Sequence, residues 1–587
     1  MNSHTTNSKT FGKLHNWTHI SCFWQLPYFH KLLLPHNIDV MHNEKNVAEA
    51  IWNTCFDIPD KTKDNAKARQ DLAEICNRPS LHLVLKKNGK WHKPRAPFCI
   101  EKNDKTIILK WFQELKFPDG YAANIRRGVN LSQRKIFGLK NHDYHIFMER
   151  LLPVAFRGFL PEETWVCLAE LSFFYRQLCA KELRKDTICN LEEQIVVLLC
   201  KMEKIFPPGF FNPMQHLIIH LPREARLGGP VQARWNYPYE RKIQRLRKKV
   251  RNKARVEGCI VEAELVEEAT NYLSLYFKPT ARSIRNKIPR YDDGACTFES
   301  SCNIEIFKYP GRCTSPRGIR SLSLEEYEAA FLYILTNMLE MDGLFKKFDE
   351  KHWKSRIKPK PEQLRDLRLN GWKTSRGKHG PDFFDWFKEE CMVTSSIDIA
   401  LHQISYGFRQ RVSSYGCYDV NGYRFRSEEY ERTRFGLTTV NTGVCVCCID
   451  ENDNELEYYG VIKDIIKIKW EGNLQLEIVL FDCQWFDPTV RGTRRTENLG
   501  LVEIKCTSRL SVFEPFVMAS QVKQVYYVPY ACKNRSDLAD WWVAYQVSPR
   551  GCVPPQDNND DSNSPDGTNE EVLIYQEDGL EGTFVII

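Results

Sequence analysis

Residues 454–486, "NELEYYGVIKDIIKIKWEGNLQLEIVLFDCQWF", indicate the architecture of the C-terminal part of the chain. Apolar and polar side chains alternate on both sides of a turn at Gly472, which is the pattern of a β-hairpin. The segments "QVKQVYYVPY" (521–530) and "WWVAYQV" (541–547) predict further short strands. Short antiparallel strands at this spacing indicate a small β-barrel within residues 412–550.

The first two-thirds of the chain have the periodicity of amphipathic helices instead. Residues 160–183, "LPEETWVCLAELSFFYRQLCAKEL", place apolar side chains at intervals of three and four. Asp39 is predicted to cap a helix that buries Val40, Val47 and Ile51. The fold class is therefore multidomain α+β, with a largely α-helical N-terminal two-thirds, a small β-barrel-like C-terminal domain and a disordered acidic tail.

The length of 587 residues predicts two to four domains, because one hydrophobic core rarely organises so long a chain. The acidic end carries no basic residue after Arg550 and is rich in Asp, Glu, Asn and Ser, which is typical of disorder. The predicted segments are a helical segment (1–90), a helical domain with a basic helix at 238–258 (91–280), a helical unit with a basic linker (281–411), the β-rich domain (412–550) and the tail (551–587).

The cysteine spacing and the hydropathy of the sequence indicate the cellular compartment in which the protein resides. The 21 cysteines are an odd number and lack the spacing of a disulfide framework. No stretch reaches the length of about 18 apolar residues that a membrane-spanning helix needs, and the first residues lack the apolar core of a signal peptide. We therefore expect a soluble intracellular protein with free thiols and no membrane partner.

A dense basic run follows Pro238, which suits the first turn of a helix, and Gly258 offers a stop. One face of this helix would hold Tyr239, Ile243, Leu246, Val250 and Ala254. The other faces would hold the cations Arg241, Lys242, Arg245, Arg247, Lys248, Lys249, Arg251, Lys253 and Arg255. A solvated helix face usually mixes both signs of charge, so this run favours DNA contact, with a merely solvated face as the alternative.

Two kinds of chemically versatile side chain lie close to this run. Glu240 would occupy the third helical position, where a carboxylate interacts with free backbone N–H groups, so capping is its first interpretation. His216 and His220 share a helical face, but zinc would need two further ligands, so a weak zinc site and an ordinary histidine pair both remain open. The stretch 142–145 also holds two histidines and an aspartate, without visible ligand spacing.

Several long stretches resemble the transposases of plant CACTA (En/Spm-like) elements. Residues 26–54, "LPYFHKLLLPHNIDVMHNEKNVAEAIWNT", are similar to the end of the transposase domain. Residues 116–161 and 205–269 resemble the domain that follows it. From "SYGCYDVNGYRFRSEEYE" (414–431) onward, the chain resembles the C-terminal domain of the same elements. These stretches follow one another in the family's order and cover most of the chain.

The resemblance implies an RNase H-like enzyme in which two Asp and one Glu hold two Mg²⁺ ions, and in which zinc is held by a CxxC and a later histidine pair. Glu240 lies twenty positions after His220, as the third acid does in related recombinases, so the resemblance gives it that role. The family's two Asp residues and CxxC precede the part that residues 26–54 match, and one carboxylate cannot hold two metals. Residues 1–90 are thus expected to be a remnant of the transposase domain.

The resulting expectation is a nuclear, DNA-binding, N-terminally truncated transposase without strand-transfer activity. One rival is that a separate catalytic half complements the chain and Glu240 completes its site. A second rival is an adaptor whose β-rich domain binds chromatin or other proteins through Tyr458, Tyr459, Trp485 and Phe486, although these rings could equally fill a core. The formal CxxC at 445–448 lies in a predicted strand and has no second pair.

Overall fold

The computed structural model of the protein describes residues 21–122, 125–278, 280–281, 302, 304–308, 311–353, 361–371, 382–394, 397–449 and 455–549. The predicted acidic tail, residues 551–587, lies outside these residues. The chain divides into two compact units. The helical unit comprises Met1–Leu109 and Asn130–Tyr276, and the sheet unit comprises Lys110–Val129 and Phe277–Ile587.

Helices dominate the chain up to Tyr276, as the apolar periodicity predicts. The helices are α1 (Val40–Cys55), α2 (Ala66–Ile75), α3 (Lys102–Glu114), α4 (Asn141–Ile146), α5 (Leu152–Phe156), α6 (Glu162–Leu178), α7 (Lys185–Ile205), α8 (Pro213–Leu217), α9 (Leu221–Gly228), α10 (Tyr237–Lys249) and α11 (Val256–Ser274). A π-helical turn, Phe147–Leu151, joins α4 to α5. Two short antiparallel pairs are formed by β1 (Val84–Leu85) with β2 (Trp91–His92) and by β3 (Val129–Asn130) with β4 (Lys135–Ile136).

Helix α1 begins where the sequence predicts. The Asp39 side chain accepts a hydrogen bond from the backbone N–H of His42 at 3.2 Å, which satisfies one of the free donors of the first turn. Val40, Val47 and Ile51 are all buried, so the predicted inward stripe is confirmed. The cap and the apolar spacing together fix both the start and the orientation of α1.

Replacing Asp39 with alanine should lower the free energy of unfolding by about 1 kcal/mol, because the His42 N–H loses its acceptor. Chemical denaturation of the full chain, with hydrogen exchange followed in peptides from α1, measures the change. Asp71→Ala in the exposed face of α2 is the matched control, since Asp71 is exposed and lies inside its helix. A loss no greater than that of the control would contradict the capping role.

The sheet unit combines seven helices with eleven strands. Its helices are α12 (Leu324–Thr336), α13 (Asp342–His352), α14 (Pro361–Asn370), α15 (Phe383–Val393), α16 (Ile399–Ser405), α17 (Glu428–Thr433) and α18 (Ser536–Ala539). Its strands are β5 (Arg312–Ser321), β6 (Arg411–Val420), β7 (Tyr423–Arg426), β8 (Gly443–Ile449), β9 (Glu455–Lys469), β10 (Glu477–Trp485), β11 (Thr493–Thr496), β12 (Leu501–Lys505), β13 (Phe516–Met518), β14 (Lys523–Pro529) and β15 (Trp541–Gln546). These counts refer to the described residues.

The strands form one antiparallel sheet in the order β11-β12-β15-β14-β8-β9-β10-β13. Strand β6 pairs with β5, β7 and the second half of β9. The predicted hairpin is confirmed, since β9 and β10 pair antiparallel from Glu477↔Lys469 to Trp485↔Gly460. The predicted barrel is wrong: the two end strands, β11 and β13, do not pair with each other among the described strands, so the sheet is open.

The sheet stays open because its central strands are apolar on both faces. Ile466 and Leu480 point into a core shared with the helices α12, α13, α15 and α16. Their neighbours Ile465 and Phe481 point into a second core, which contains Tyr418 and side chains of β7 and β8. A small barrel has one inward apolar face and one outward polar face. Two apolar faces instead require a cover on each side of the sheet.

None of the helices in the described ranges combines the length and the apolarity needed to cross a lipid bilayer.

Candidate nucleic-acid interface

The basic run forms a helix pair instead of one long helix. Helix α10 ends at Lys249, nine residues before residue 258, where the predicted helix ends. The helix breaks near Asn252, whose side-chain oxygen accepts a hydrogen bond from the backbone N–H of Ala254 at 2.9 Å. This contact forms a local turn, which competes with the helical conformation. Gly258, the predicted stop, lies inside the first turn of α11.

The predicted apolar stripe of α10 does not dock on the helical core. Tyr239 is 71% exposed and Ile243 is 63% exposed. Helix α11 likewise has no buried residue, although it packs against α10. The expectation of a docked stripe is therefore wrong, because α11 offers α10 an acidic face in place of an apolar one.

Charge pairing holds α10 and α11 together. The Lys242 ammonium lies 2.6 Å from a carboxylate oxygen of Glu264, and Lys249 donates hydrogen bonds to Glu264 and Glu267. These hydrogen bonds raise the pKa of Lys249, and the hydrogen bonds that Glu264 accepts from Lys242 and Lys249 lower the pKa of its carboxyl. The Arg241 guanidinium stacks 4.7 Å from the ring centre of Tyr237. Three of the nine predicted cations thus have contacts within the unit.

The other six cations remain directed at solvent. All six side chains are exposed, and within the described ranges none forms an ion pair with an acidic group. They are Arg245, Arg247, Lys248, Arg251, Lys253 and Arg255. Because they lie within one short segment of α10 and the turn that follows it, they create a concentrated positive surface. We name these six residues the basic surface.

Glu240 lies at the start of this helix, exposed to solvent, and its backbone N–H donates to the carbonyl of Asn236 at 3.0 Å. Within the described residues, Glu240 belongs to no group of three or more metal-ligand side chains. The structure therefore brings no pair of further acids to Glu240 in that part of the chain. Its role as a third catalytic acid stays a prediction from the resemblance.

The two histidines of the predicted zinc pair do meet. Asn212 caps α8, and a 3-10 turn continues from Ile218 to His220, so that Nε2 of His216 and Nε2 of His220 are 3.3 Å apart. Two ligands of a tetrahedral zinc ion with bonds of about 2.0–2.1 Å lie roughly 3.3–3.4 Å apart, so the spacing suits the metal. No third ligand lies within reach in the described ranges.

The aromatic candidates of the sheet unit are mostly interior. Tyr459, Trp485 and Phe486 are buried, as the core-filling interpretation predicts. Tyr458 is partly exposed and, with Trp485, lines a cleft of about 1260 Å³ against α12 and α14. The CxxC at 445–448 does not form a ligand pair, because residues three apart in strand β8 point to opposite faces.

One cluster was missed by the sequence interpretation, which found no ligand geometry around residues 142–145. Nδ1 of His145 lies 2.6 Å from a carboxylate oxygen of Glu44, and Nε2 of His145 lies 3.5 Å from Glu149. The Cys179 thiol is in the same group. The local sequence shows only that His145 and Glu149 are four residues apart and so share a helical face. Glu44 is 101 residues away from His145, so the sequence gives no sign of this contact.

Comparison with known protein families identifies two segments. Residues 178–292 match the model described as domain of unknown function DUF4218, and residues 466–544 match the model described as domain of unknown function DUF4216. Both domains are typical of plant transposase-derived proteins. The first contains His216, His220, Glu240 and the basic surface, and the second contains most of the β9–β10 hairpin. No curated protein and no solved structure matches the chain.

Proposed function

We propose that the protein is a transposon-derived DNA-binding protein of the nucleus, related to CACTA transposases, and that the basic surface binds the phosphate backbone of duplex DNA. The observation that carries the proposal is a set of six exposed cations on one segment of the helical unit, none of which has an acidic partner among the described residues. The ion pairs that Lys242 and Lys249 form with Glu264 hold α10 against α11, and the six exposed cations lie on α10 and on the turn between these two helices. The two matched domains, typical of transposase-derived proteins, support the same function.

The nature of the surface favours backbone contact over base recognition. Arg and Lys bind phosphate oxygens through charge-assisted hydrogen bonds, and this contact is independent of sequence. Each phosphate contact releases counterions, so the affinity falls with salt by a log–log slope of about −0.9 per contact. If four of the six cations touch phosphates, we expect a slope of roughly −3.6.

Neutralising four cations of the basic surface, as Arg245→Gln, Arg247→Gln, Lys248→Gln and Arg251→Gln together, should flatten that slope by about 3. The preference among DNA sequences should hardly change, because phosphate contacts carry no base information. Fluorescence anisotropy with a labelled duplex at three salt concentrations measures both quantities. Lys249 is left intact, since its ammonium already pairs with Glu264 and Glu267.

The matched control removes four exposed lysines elsewhere in the helical unit, as Lys61→Gln, Lys67→Gln, Lys86→Gln and Lys87→Gln. Both variants lose the same net charge, so a specific interface requires that only the first flattens the slope. If both variants flatten the slope by the same amount, the salt dependence comes from the overall charge of the protein and not from a specific interface. An unchanged slope in both would leave α10 as a solvated helix face.

The rivals from the sequence make different predictions. If the chain complements a separate catalytic half, DNA cleavage should appear with Mg²⁺ when both halves are mixed and should disappear in Glu240→Gln. If the chain is an adaptor, protein partners should bind through the cleft beside Tyr458 and Trp485, and the quadruple variant should bind those partners normally. The DNA titration and a partner-binding assay on the same variants separate these functions.

A further inference from the structure

Four side chains of metal-ligand type meet in the core of the helical unit. Glu44 lies on α1, His145 on α4, Glu149 on the π-helical turn and Cys179 directly after α6. Glu44 is fully buried, and the other three are each 4% exposed. Polar and ionisable groups rarely occupy such positions unless they are paired with one another or bind a metal.

The distances between these groups are close to those of a metal site. Nδ1 of His145 is 2.6 Å from Oε2 of Glu44, and its Nε2 is 3.5 Å from Oε2 of Glu149. One Glu44 oxygen, one ring nitrogen of His145 and the Cys179 sulfur all lie within 4.8 Å of one another. Tetrahedral zinc holds its ligands roughly 3.3–3.8 Å apart, so shifts of about 1 Å in these three groups suffice. Glu149 lies at the opposite ring nitrogen of His145 and is therefore not a ligand of the same ion.

The chemistry of the donors selects the ion. Zinc binds carboxylate oxygen, imidazole nitrogen and thiolate sulfur, whereas Mg²⁺ and Ca²⁺ prefer oxygen alone. Three ligands from α1, α4 and the end of α6 meet here, and Glu149 lies at the other ring nitrogen of His145, where carboxylates often orient a zinc-bound imidazole. The π-helical turn supports this assignment, because such turns are often found at functional sites and here one places Glu149 beside His145.

One oxygen of Glu44 supports a cation at the same point. Oε1 of Glu44 is buried and has no hydrogen-bond partner among the described residues. A buried polar atom without a partner is costly, and a divalent ion bound beside Glu44 would supply that partner.

We propose that Glu44, His145 and Cys179 bind one zinc ion in the core of the helical unit, with Glu149 beside the other ring nitrogen of His145. This site is separate from the His216–His220 pair and does not depend on the proposed DNA-binding function. Binding deprotonates the Cys179 thiol, and the proton passes to solvent as the zinc–sulfur bond forms. The ion then ties α1, α4 and the end of α6 together.

Cobalt substitution tests the proposal directly. The full-length protein, stripped with a chelator and titrated with Co²⁺, should bind one equivalent in this site and show the near-ultraviolet absorption of a cobalt–thiolate bond. Cys179→Ala should lose that absorption and weaken zinc binding by about 100-fold or more. Glu149→Gln should keep the absorption but weaken zinc binding, because the thiolate remains while the carboxylate that orients His145 is lost.

Two controls distinguish the site from other sources of binding. Cys167→Ala removes another buried cysteine, on α6, and should leave the absorption unchanged. His216→Ala removes the exposed pair and should also leave it unchanged. If folded wild-type protein binds no cobalt with thiolate absorption, the proposal is wrong. It is equally wrong if Cys179→Ala and Cys167→Ala give the same spectrum. If Cys179→Ala does not fold, the zinc affinity of Glu149→Gln tests the proposal instead, and an unchanged affinity contradicts it.

Discussion

Replacing Arg69 with methionine is expected to lower the free energy of unfolding of the helical unit by about 3–5 kcal/mol. Arg69 and Asp64 are both fully buried and form a bidentate ion pair, in which Nη2 of Arg69 lies 2.8 Å from Oδ2 of Asp64. Arg69 also donates to the carbonyl oxygen of Leu81 at 2.5 Å. The loss of Arg69 leaves the buried Asp64 carboxylate with Lys93 as its remaining cation among the described residues, 3.3 Å away and 26% exposed.

Chemical denaturation with hydrogen exchange in peptides of the helical unit measures this loss. Arg95→Met is the control, because the Arg95–Glu101 pair is exposed and such pairs contribute at most about 1 kcal/mol. The double variant Asp64→Asn with Arg69→Met should recover part of the stability, since the stranded charge is removed. If Arg69→Met lowers the free energy of unfolding no more than Arg95→Met does, the buried ion pair contributes no more to stability than an exposed one.

Local patterns in the sequence predicted local structure well. The alternation around Gly472 correctly predicted the β9–β10 hairpin. Asp39 caps α1 as expected. In each case the side chains that decide the structure are within a few residues of one another, so periodicity and spacing contain the information.

Features that depend on distant partners could not be predicted in this way. The hairpin pattern does not reveal that both faces of β9 are covered, because the covering helices α12 to α16 lie far away in the sequence. Residues 241–255 contain no acid, but Glu264 on the next helix pairs with Lys242 and Lys249. The contact between Glu44 and His145 spans 101 residues. Tertiary packing, not local propensity, decides each of these features.

The structure also reduces the set of cations in the candidate DNA interface from nine to six. A count of cations in the sequence treats nine side chains as equivalent, whereas α11 neutralises two and Tyr237 stacks on a third. The remaining six are concentrated between Arg245 and Arg255. The turn at Asn252 changes the direction of the chain within that segment, so the charges face solvent from a helix end and a loop instead of along one straight helix.

Arg320 joins three acidic side chains of the sheet unit, and its replacement by methionine should destabilise that unit by about 2–3 kcal/mol at neutral pH. Its guanidinium lies 2.7 Å from Asp482 and 3.2 Å from Asp464, and it also donates to Glu326. These groups are 13–25% exposed, so the effect is smaller than for a fully buried pair. The three carboxylates belong to β10, β9 and α12, which Arg320 on β5 holds together.

The destabilisation should depend on pH in a definite direction. Burial raises the pKa of Asp482, and Arg320 opposes that rise, so the pKa must increase further in the Arg320→Met variant. A carboxyl whose pKa is higher in the folded than in the unfolded state favours folding when it is protonated, and the variant should therefore regain stability as the pH falls. Denaturation at pH 7.5 and pH 5, with Arg409→Met as the control for an exposed pair, should show a deficit that shrinks at pH 5 in Arg320→Met alone. A deficit of equal size at both pH values would mean that lost packing of the arginine stem, and not repulsion among Asp464, Asp482 and Glu326, causes the destabilisation.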